Sequence, residues 1–173
     1  MPALILLIPF FLVRFGLLSA LDDEAALRAA YFAPMRKGGR VVYWLYQISN
    51  GAVFVLILFS SIRTENRPVF IGGLILCAIG LVMLVVSMVG FAKPSPGGMS
   101  RDGIYRLSRN PMYVSYFIFF VGCVVLTQSP FLLVAVIVFQ AAAHGVILAE
   151  ERWCAETFGD EYADYAKKVR RYI

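Results

Sequence analysis

The stretch Gly103-Ile-Tyr-Arg-Leu-Ser-Arg-Asn-Pro-Met-Tyr113 lies between two apolar runs and opens a third. Pro111 has a fixed φ and no amide hydrogen to lose, which suits the first turn of a helix. Asn110 before it is a favoured N-cap, and the run from Met112 onward is almost wholly apolar. The stretch therefore reads as the polar entry to a membrane helix. Such an N-terminus presents unpaired N–H groups and the positive end of a dipole, here with Arg106 and Arg109 alongside. That makes a seat for an anionic or polar ligand. On the plainer reading it is a capped span with basic residues anchoring its end.

Composition agrees with the membrane setting. Of 173 residues, 60% are hydrophobic and only 16% charged, with a mean hydropathy of +0.75. Together these imply one all-α, polytopic membrane domain. The net charge of +5 comes from basic residues clustered between apolar runs. That pattern sets topology and anchors acidic headgroups, and it is no nucleic-acid surface. Cys77 and Cys123 lie inside apolar runs, and Cys154 lies in the tail. No pair has disulfide or metal spacing, and His144 is the single histidine, so no metal centre is expected.

Working outward from the motif, five spans are predicted. Residues 69–91 precede it, opened by Pro68, with Gly72, Gly73, Gly80 and Gly90 for close helix contact. Residues 92–110 carry Pro94, Pro96 and Gly97-Gly98 and read as a loop. After the motif, residues 112–127 form a span short for a hydrocarbon core of about 30 Å. Gln128-Ser-Pro130 turns the chain, and residues 131–149 return as the second arm of a helical hairpin. Further upstream, residues 41–62 form a span with Tyr43, Trp44 and Tyr46 as interfacial aromatics. Residues 3–20 form the first span, broken in polarity by Arg14, which is expected to snorkel or find a partner. Met1-Pro-Ala-Leu has no positive leading segment, so this run is not read as a signal peptide. Between the first two spans, Asp22, Asp23 and Glu24 precede a short helical pattern that Pro34, Gly38 and Gly39 break. Residues 1–91 are thus the N-terminal spans, and 92–173 the motif loop, hairpin and tail.

Lysine and arginine counts orient the chain. Residues 21–40 carry four, 63–68 two, 92–111 four, 127–130 none and 150–173 five. Alternation through five spans puts the three rich segments on one side, which the positive-inside rule makes cytoplasmic. Motif loop and C-terminus then share the cytoplasmic face.

A second stretch completes the pattern: Glu150-Glu-Arg-Trp-Cys-Ala-Glu-Thr-Phe-Gly-Asp-Glu-Tyr-Ala-Asp-Tyr165, then Lys167-Lys-Val-Arg-Arg171. Together the two resemble the membrane methyltransferase superfamily of isoprenylcysteine carboxyl methyltransferases and phospholipid N-methyltransferases. The matching positions are Gly103, Tyr105, Arg106, Arg109, Pro111, Tyr113, Glu150, Glu151, Phe158, Gly159, Tyr162 and Tyr165. Asn110 stands where the family usually has His, and Ser115 where it usually has Gly. Asn-Pro-Met-Tyr is similar to the phospholipid branch, whereas the spacing from Glu-Glu to Phe-Gly is similar to the isoprenylcysteine branch.

The resemblance implies methyl transfer from S-adenosylmethionine to a lipid or lipid-like acceptor, a phospholipid amine or an isoprenylcysteine-type carboxylate, in the bilayer. It also nominates residues. Tyr105, Arg109, Asn110, Pro111, Tyr113, Glu150, Glu151, Tyr162 and Tyr165 are candidate cofactor contacts, and Glu151, His144 and Asn110 candidate catalytic groups. Such a cofactor asks for carboxylates against its ammonium, donors for its carboxylate and aromatic faces near its sulfonium. Seven residues put Glu151 about 20° from His144 on a helix, on the face that also holds Gln140, with Glu150 pointing well away. An inward Gln140–His144–Glu151 stripe is expected, although His144 equally suits an interhelical hydrogen bond. Two other classes remain. Sterol and steroid reductases share a similar C-terminal motif but carry an acid soon after it, where this chain has Ser115-Tyr116. A non-catalytic membrane protein would not need Glu-Glu, Pro111 and both tail tyrosines.

The topology is open to test. In a cysteine-free background, Gly38→Cys, Gly98→Cys and Tyr172→Cys should react with impermeant thiol reagents only from the cytoplasm, and Asn66→Cys only from outside. Labelling of Gly98→Cys and Asn66→Cys from the same side rules out five spans.

Overall fold

A computed structural model of the chain describes residues 1–21, 39–93 and 98–173. The short helical pattern expected after Asp22, its breaks at Pro34 and Gly38, and the turn at Pro94, Pro96 and Gly97 lie outside them. The described residues form α1 (Ala3–Leu21), α2 (Gly39–Leu58), α3 (Arg67–Ala92), α4 (Pro111–Thr127), α5 (Pro130–Phe158) and α6 (Asp160–Lys168). α1, α2, α3 and α5 are long and apolar enough to cross a membrane. The expected fifth span is α4, whose 17 residues extend only about 26 Å at 1.5 Å per residue. The protein is thus an all-α, multi-pass integral membrane protein ending in a helical hairpin and a tail helix.

Local chemistry sets the helix ends. Asn66 accepts a hydrogen bond from the Val69 amide (3.3 Å) and Ser129 one from Leu132 (3.3 Å), each with proline in the first turn. Gln128 takes the left-handed conformation (φ 51°) that closes the hairpin turn after α4. Three boundaries differ from expectation. α2 begins at Gly39 rather than after Arg40, and it stops at Leu58, four residues early. Residues 60–62 leave the helix because their backbone pairs with the N-terminus: Ala3 donates to the Ser60 carbonyl (3.0 Å) and Ile62 to that of Met1 (2.7 Å). α5 runs nine residues past Ala149, to Phe158. Glu150 and Glu151 therefore stand well inside a helix and do not oppose a C-terminal dipole.

The Arg63 amide also donates to the Leu126 carbonyl (2.8 Å). The N-terminus, the α2–α3 turn and the hairpin tip thus gather at one end of the bundle. At the other end the Arg109 amide donates to the Arg170 carbonyl (2.9 Å), so motif loop and C-terminus meet there. This is the alternation that the spans require.

The core is a seam between antiparallel α3 and α4. Cβ atoms built on Gly73, Gly80 and Gly122 would stand 2.7–2.8 Å from Leu126, the Phe119 backbone and Cys77. Only bare backbones pass at that separation. Gly90 meets Tyr105 at 3.3 Å, whereas Gly72, also expected at a contact, has nothing within 4 Å. α1 closes the seam with Phe10, stacked on Phe119 (4.9 Å) and touching Phe120 and Phe54. Tyr46 of α2 packs on Phe139 of α5 (5.3 Å).

Gly80→Ala should push α3 and α4 apart and destabilise the protein by about 1–3 kcal/mol, the usual cost of overpacking. Gly72→Ala should change stability little. Thermal unfolding of both in detergent makes the comparison, and equal melting temperatures would contradict the seam.

Candidate active site

Two glycines turn the chain around the site. Gly103 (φ +61°) and Gly159 (φ +53°, ψ −126°) hold conformations that a Cβ disfavours. Gly103 opens a short 3-10 turn, Gly103–Arg106, that drives Tyr105 against α3. There its hydroxyl donates to the Ser87 carbonyl at 3.5 Å. Gly159 separates α5 from α6, so α6 folds back over the motif. Tyr165 of α6 donates to the Tyr105 carbonyl (2.6 Å), and Glu161 pairs with Arg101. α6 carries Asp160 and Glu161 in its first turn and Lys167 and Lys168 in its last, matching the dipole at both ends.

Beyond α6 the chain becomes extended at Val169 (φ −117°, ψ 132°) and runs back along the motif. The Arg171 carbonyl accepts from Ser108 Oγ (3.3 Å) and Asn110 Nδ2 (3.2 Å). The Arg171 guanidinium grips Glu151 Oε2 through Nε (2.9 Å) and Nη2 (2.8 Å). The other oxygen, Oε1, takes Asn110 Nδ2 at 3.1 Å and Arg109 Nη2 at 3.4 Å. Asn110 does occupy the N-cap position of α4, but its side chain makes no capping bond, because it is turned toward Glu151 and the tail. The expectation of a side-chain cap there is corrected. The first-turn amides of α4 consequently keep no side-chain cap.

These elements enclose a cavity of about 470 Å³, within the roughly 300–1,000 Å³ range of small-molecule sites. Tyr105, Arg109, Asn110, Pro111, Tyr113, Glu150, Glu151, Tyr162 and Tyr165 all line it. His144 does not. It is exposed, with Nδ1 2.6 Å from the Tyr172 hydroxyl, and shares a separate shallow depression with Gln140. The inward Gln140–His144–Glu151 stripe is therefore corrected. His144 and Glu151 do share a face, but that face meets the returning tail at Tyr172 and Arg171. The cavity face of α5 is instead Glu150, Trp153, Cys154 and Phe158, spaced i, i+3, i+4 and i+8. Glu151 reaches the cavity from its edge.

The two carboxylates differ in charge state of their surroundings. Glu151 is compensated by two guanidiniums. Glu150 accepts one hydrogen bond, from the Tyr113 hydroxyl at 2.8 Å, and no cation pairs with it among the described residues. On the same wall Arg109 Nε is buried and finds no acceptor among the described residues. A carboxylate with no cation and a guanidinium Nε–H with no acceptor thus remain among the described residues of one cavity, complementary to a ligand carrying an ammonium and a carboxylate. Around them, burial raises the pKa of the Tyr105 and Tyr162 phenols and pushes Tyr165 up to about 12. All three stay protonated donors with intact aromatic faces. The hydrogen bond to Glu151 likewise holds Arg171 firmly cationic.

Arg14, Tyr46 and Tyr116 also line the cavity and were missed as site residues. For Arg14 a signal existed, a charge inside an apolar span. Tyr46 and Tyr116 read as ordinary interfacial or core aromatics.

A family model described as phospholipid methyltransferase matches residues 68–161, more than half of the chain, from the start of α3 into α6. No curated protein matches the sequence. With its membrane helices and a pocket built on the motif residues, the chain belongs to the phospholipid methyltransferase family, integral-membrane enzymes that methylate a membrane-associated substrate from S-adenosylmethionine.

Proposed function

We propose that the cavity binds S-adenosylmethionine by its amino-acid end, between Arg109 and Glu150, and presents the methyl group to a lipid-like acceptor arriving from the bilayer. The observation that carries this is the unmatched pair: Glu150 without a cation and Arg109 Nε without an acceptor, on one cavity wall. An ammonium suits the first and a carboxylate the second, aided by the uncapped first turn of α4 beside Pro111. Trp153, Phe158 and Tyr162 offer faces to a cationic sulfur.

When bound, S-adenosylmethionine supplies an electrophilic methyl carbon whose bond to sulfur breaks, with both electrons, as the acceptor's lone pair bonds to it. The chain's part is to hold acceptor and methyl in line at about 3–3.5 Å and to keep water out. An amine acceptor must shed a proton, and Glu150 is the better receiver because Glu151 is already held by two arginines. An isoprenylcysteine-type carboxylate has no proton to lose. Asn110 orients Glu151 and so acts as a positioning residue, and His144, turned to Tyr172, has no part in this scheme. The positive-inside count gives the cavity a cytoplasmic opening.

Purified protein incubated with methyl-labelled S-adenosylmethionine and native lipid extract should place label in a lipid-soluble product. S-adenosylhomocysteine should raise the melting temperature and NADPH should not. The reverse thermal result would overturn the assignment of the cavity.

Glu150→Gln removes one charge-assisted contact of about 1.5–3 kcal/mol, so cofactor affinity measured by calorimetry should fall roughly 10- to 150-fold. Glu151→Gln should lower stability instead, by about 2–3 kcal/mol. That is less than a fully buried pair costs, because Arg171 keeps 35% of its side chain exposed. If Glu151→Gln loses affinity while Glu150→Gln binds as the parent does, the two roles are exchanged.

A further inference from the structure

The membrane side of the cavity holds a second unmatched set of polar groups. Arg14 lies on α1 within the stretch Leu12–Leu17, which is wound as a π-helix. Seven residues separate it from the end of α1 at Leu21, so it sits about 10 Å along the span from that end. Its guanidinium carbon stands 5.9 Å from the centre of the Tyr116 ring and 5.7 Å from that of Phe15, and it lines the cavity. No carboxylate pairs with it among the described residues. The Tyr116 hydroxyl is buried in the same wall and has no hydrogen-bond partner among the described residues. A guanidinium and the phenol ring it lies over, both carrying donors, thus line the cavity together. Among the described residues the cation has ring faces but no anion beside it and the hydroxyl has no partner, each costly at that depth, which restricts what can occupy the space beside them. A hydroxyl or thioether of a ligand could accept hydrogen bonds there but would leave the guanidinium's charge uncompensated. An anionic oxygen group satisfies both, since guanidinium forks match phosphate and carboxylate oxygens.

We propose that Arg14 and Tyr116 seat an anionic oxygen group of the methyl acceptor, a phosphate or a carboxylate, and so select lipid-like acceptors that carry such a group over those that carry none. This rests on the reading of the cavity as a methyltransferase site, but on different residues from those assigned to the cofactor. The Arg109–Glu150 wall belongs to the motif loop and α5. The Arg14–Tyr116 seat belongs to α1 and the second turn of α4. An acceptor held there has its charged group fixed by the seat and its apolar tail free to lie toward the bilayer.

The test measures binding without turnover. Three probes are titrated into detergent-solubilised parent, Arg14→Gln, Arg14→Lys and Tyr116→Phe proteins: dihexanoyl phosphatidylethanolamine, N-acetyl-S-farnesylcysteine and hexadecylamine. At least one of the two probes that carry an anionic oxygen group should bind the parent, and Arg14→Gln should weaken it 10-fold or more. Arg14→Lys should recover part of the loss, and Tyr116→Phe should lose roughly 3- to 10-fold. Hexadecylamine should change less than 3-fold throughout. Dependence on Arg14 for the phosphatidylethanolamine alone assigns a phosphate, and for the farnesylcysteine alone a carboxylate. If the parent binds neither the phosphatidylethanolamine nor the farnesylcysteine, or Arg14→Gln binds both as the parent does, the seat does not exist. An equal loss for hexadecylamine would also overturn it, since Arg14 would then only shape the cavity or anchor α1 to headgroups. S-adenosylhomocysteine affinity, measured on the same samples, tests the methyltransferase reading separately. Its absence from the parent sinks that reading, while its equal presence in all four proteins shows that the variants are folded.

Discussion

The structure depends on one carboxylate held between two arginines. Glu151 takes Arg171 on one oxygen, and Asn110 with Arg109 on the other. These four residues come from three places in the chain: the motif loop, the last third of α5 and the extended segment that follows α6. Glu151 and Arg109 keep only 11% and 14% of their side-chain surface in solvent. Removing one partner would leave a nearly buried charge uncompensated, the costly case for ion pairs. The cluster therefore fixes where the tail returns, and with it the floor of the cavity. Its backbone bonds do the same work without charge, since the Arg170 and Arg171 carbonyls are claimed by Arg109, Ser108 and Asn110.

Two adjacent glutamates thereby acquire different chemistry. Neighbouring helix positions are 100° apart, enough to aim one side chain at the cavity and the other at its edge. Glu151 spends its charge on the fold. Glu150 is left with one phenol and no cation among the described residues. A compensated carboxylate is a poor partner for an incoming cation, whereas an uncompensated one in a recess is a strong partner. The division lets a small protein have a rigid scaffold and a reactive wall within one turn of helix.

The glycine seam sets the depth of the site. Because α3 and α4 touch backbone to backbone along Gly73, Gly80 and Gly122, little room remains between them. Volume is left instead where α4 begins, between its first turns, α5 and α6. α1 and α2 close that space from the membrane side with Arg14 and Tyr46. The departures at Asn110 and Ser115 fit the same frame. Ser115 is fully buried yet satisfied by the Met112 carbonyl at 2.6 Å, so a hydroxyl costs nothing there. Asn110 gives its amide to both Glu151 and the tail.

The sequence by itself determined the spans, the hairpin turn and the motif residues that line the cavity, though not Arg14, Tyr46 and Tyr116. Those features are local: hydropathy over twenty residues, proline and cap residues at helix starts, glycine where φ must be positive. It also gave the angles between residues on one helix, which correctly put His144 and Glu151 on one face. What it did not contain was the direction in which that face points. Helical period fixes relative angles only, and the zero is set by packing against other elements. The tail's return from Lys168 to Tyr172 covers the His144–Glu151 face and turns Glu150 toward the cavity, through contacts 20 to 28 residues apart in the chain. Arg14 needed the same kind of information at longer range. Its place beside Tyr116 joins the first helix to the fourth, and nothing within either helix specifies that meeting. Only tertiary packing decides it, because the complementary surfaces that bring the two together are spread over the whole bundle.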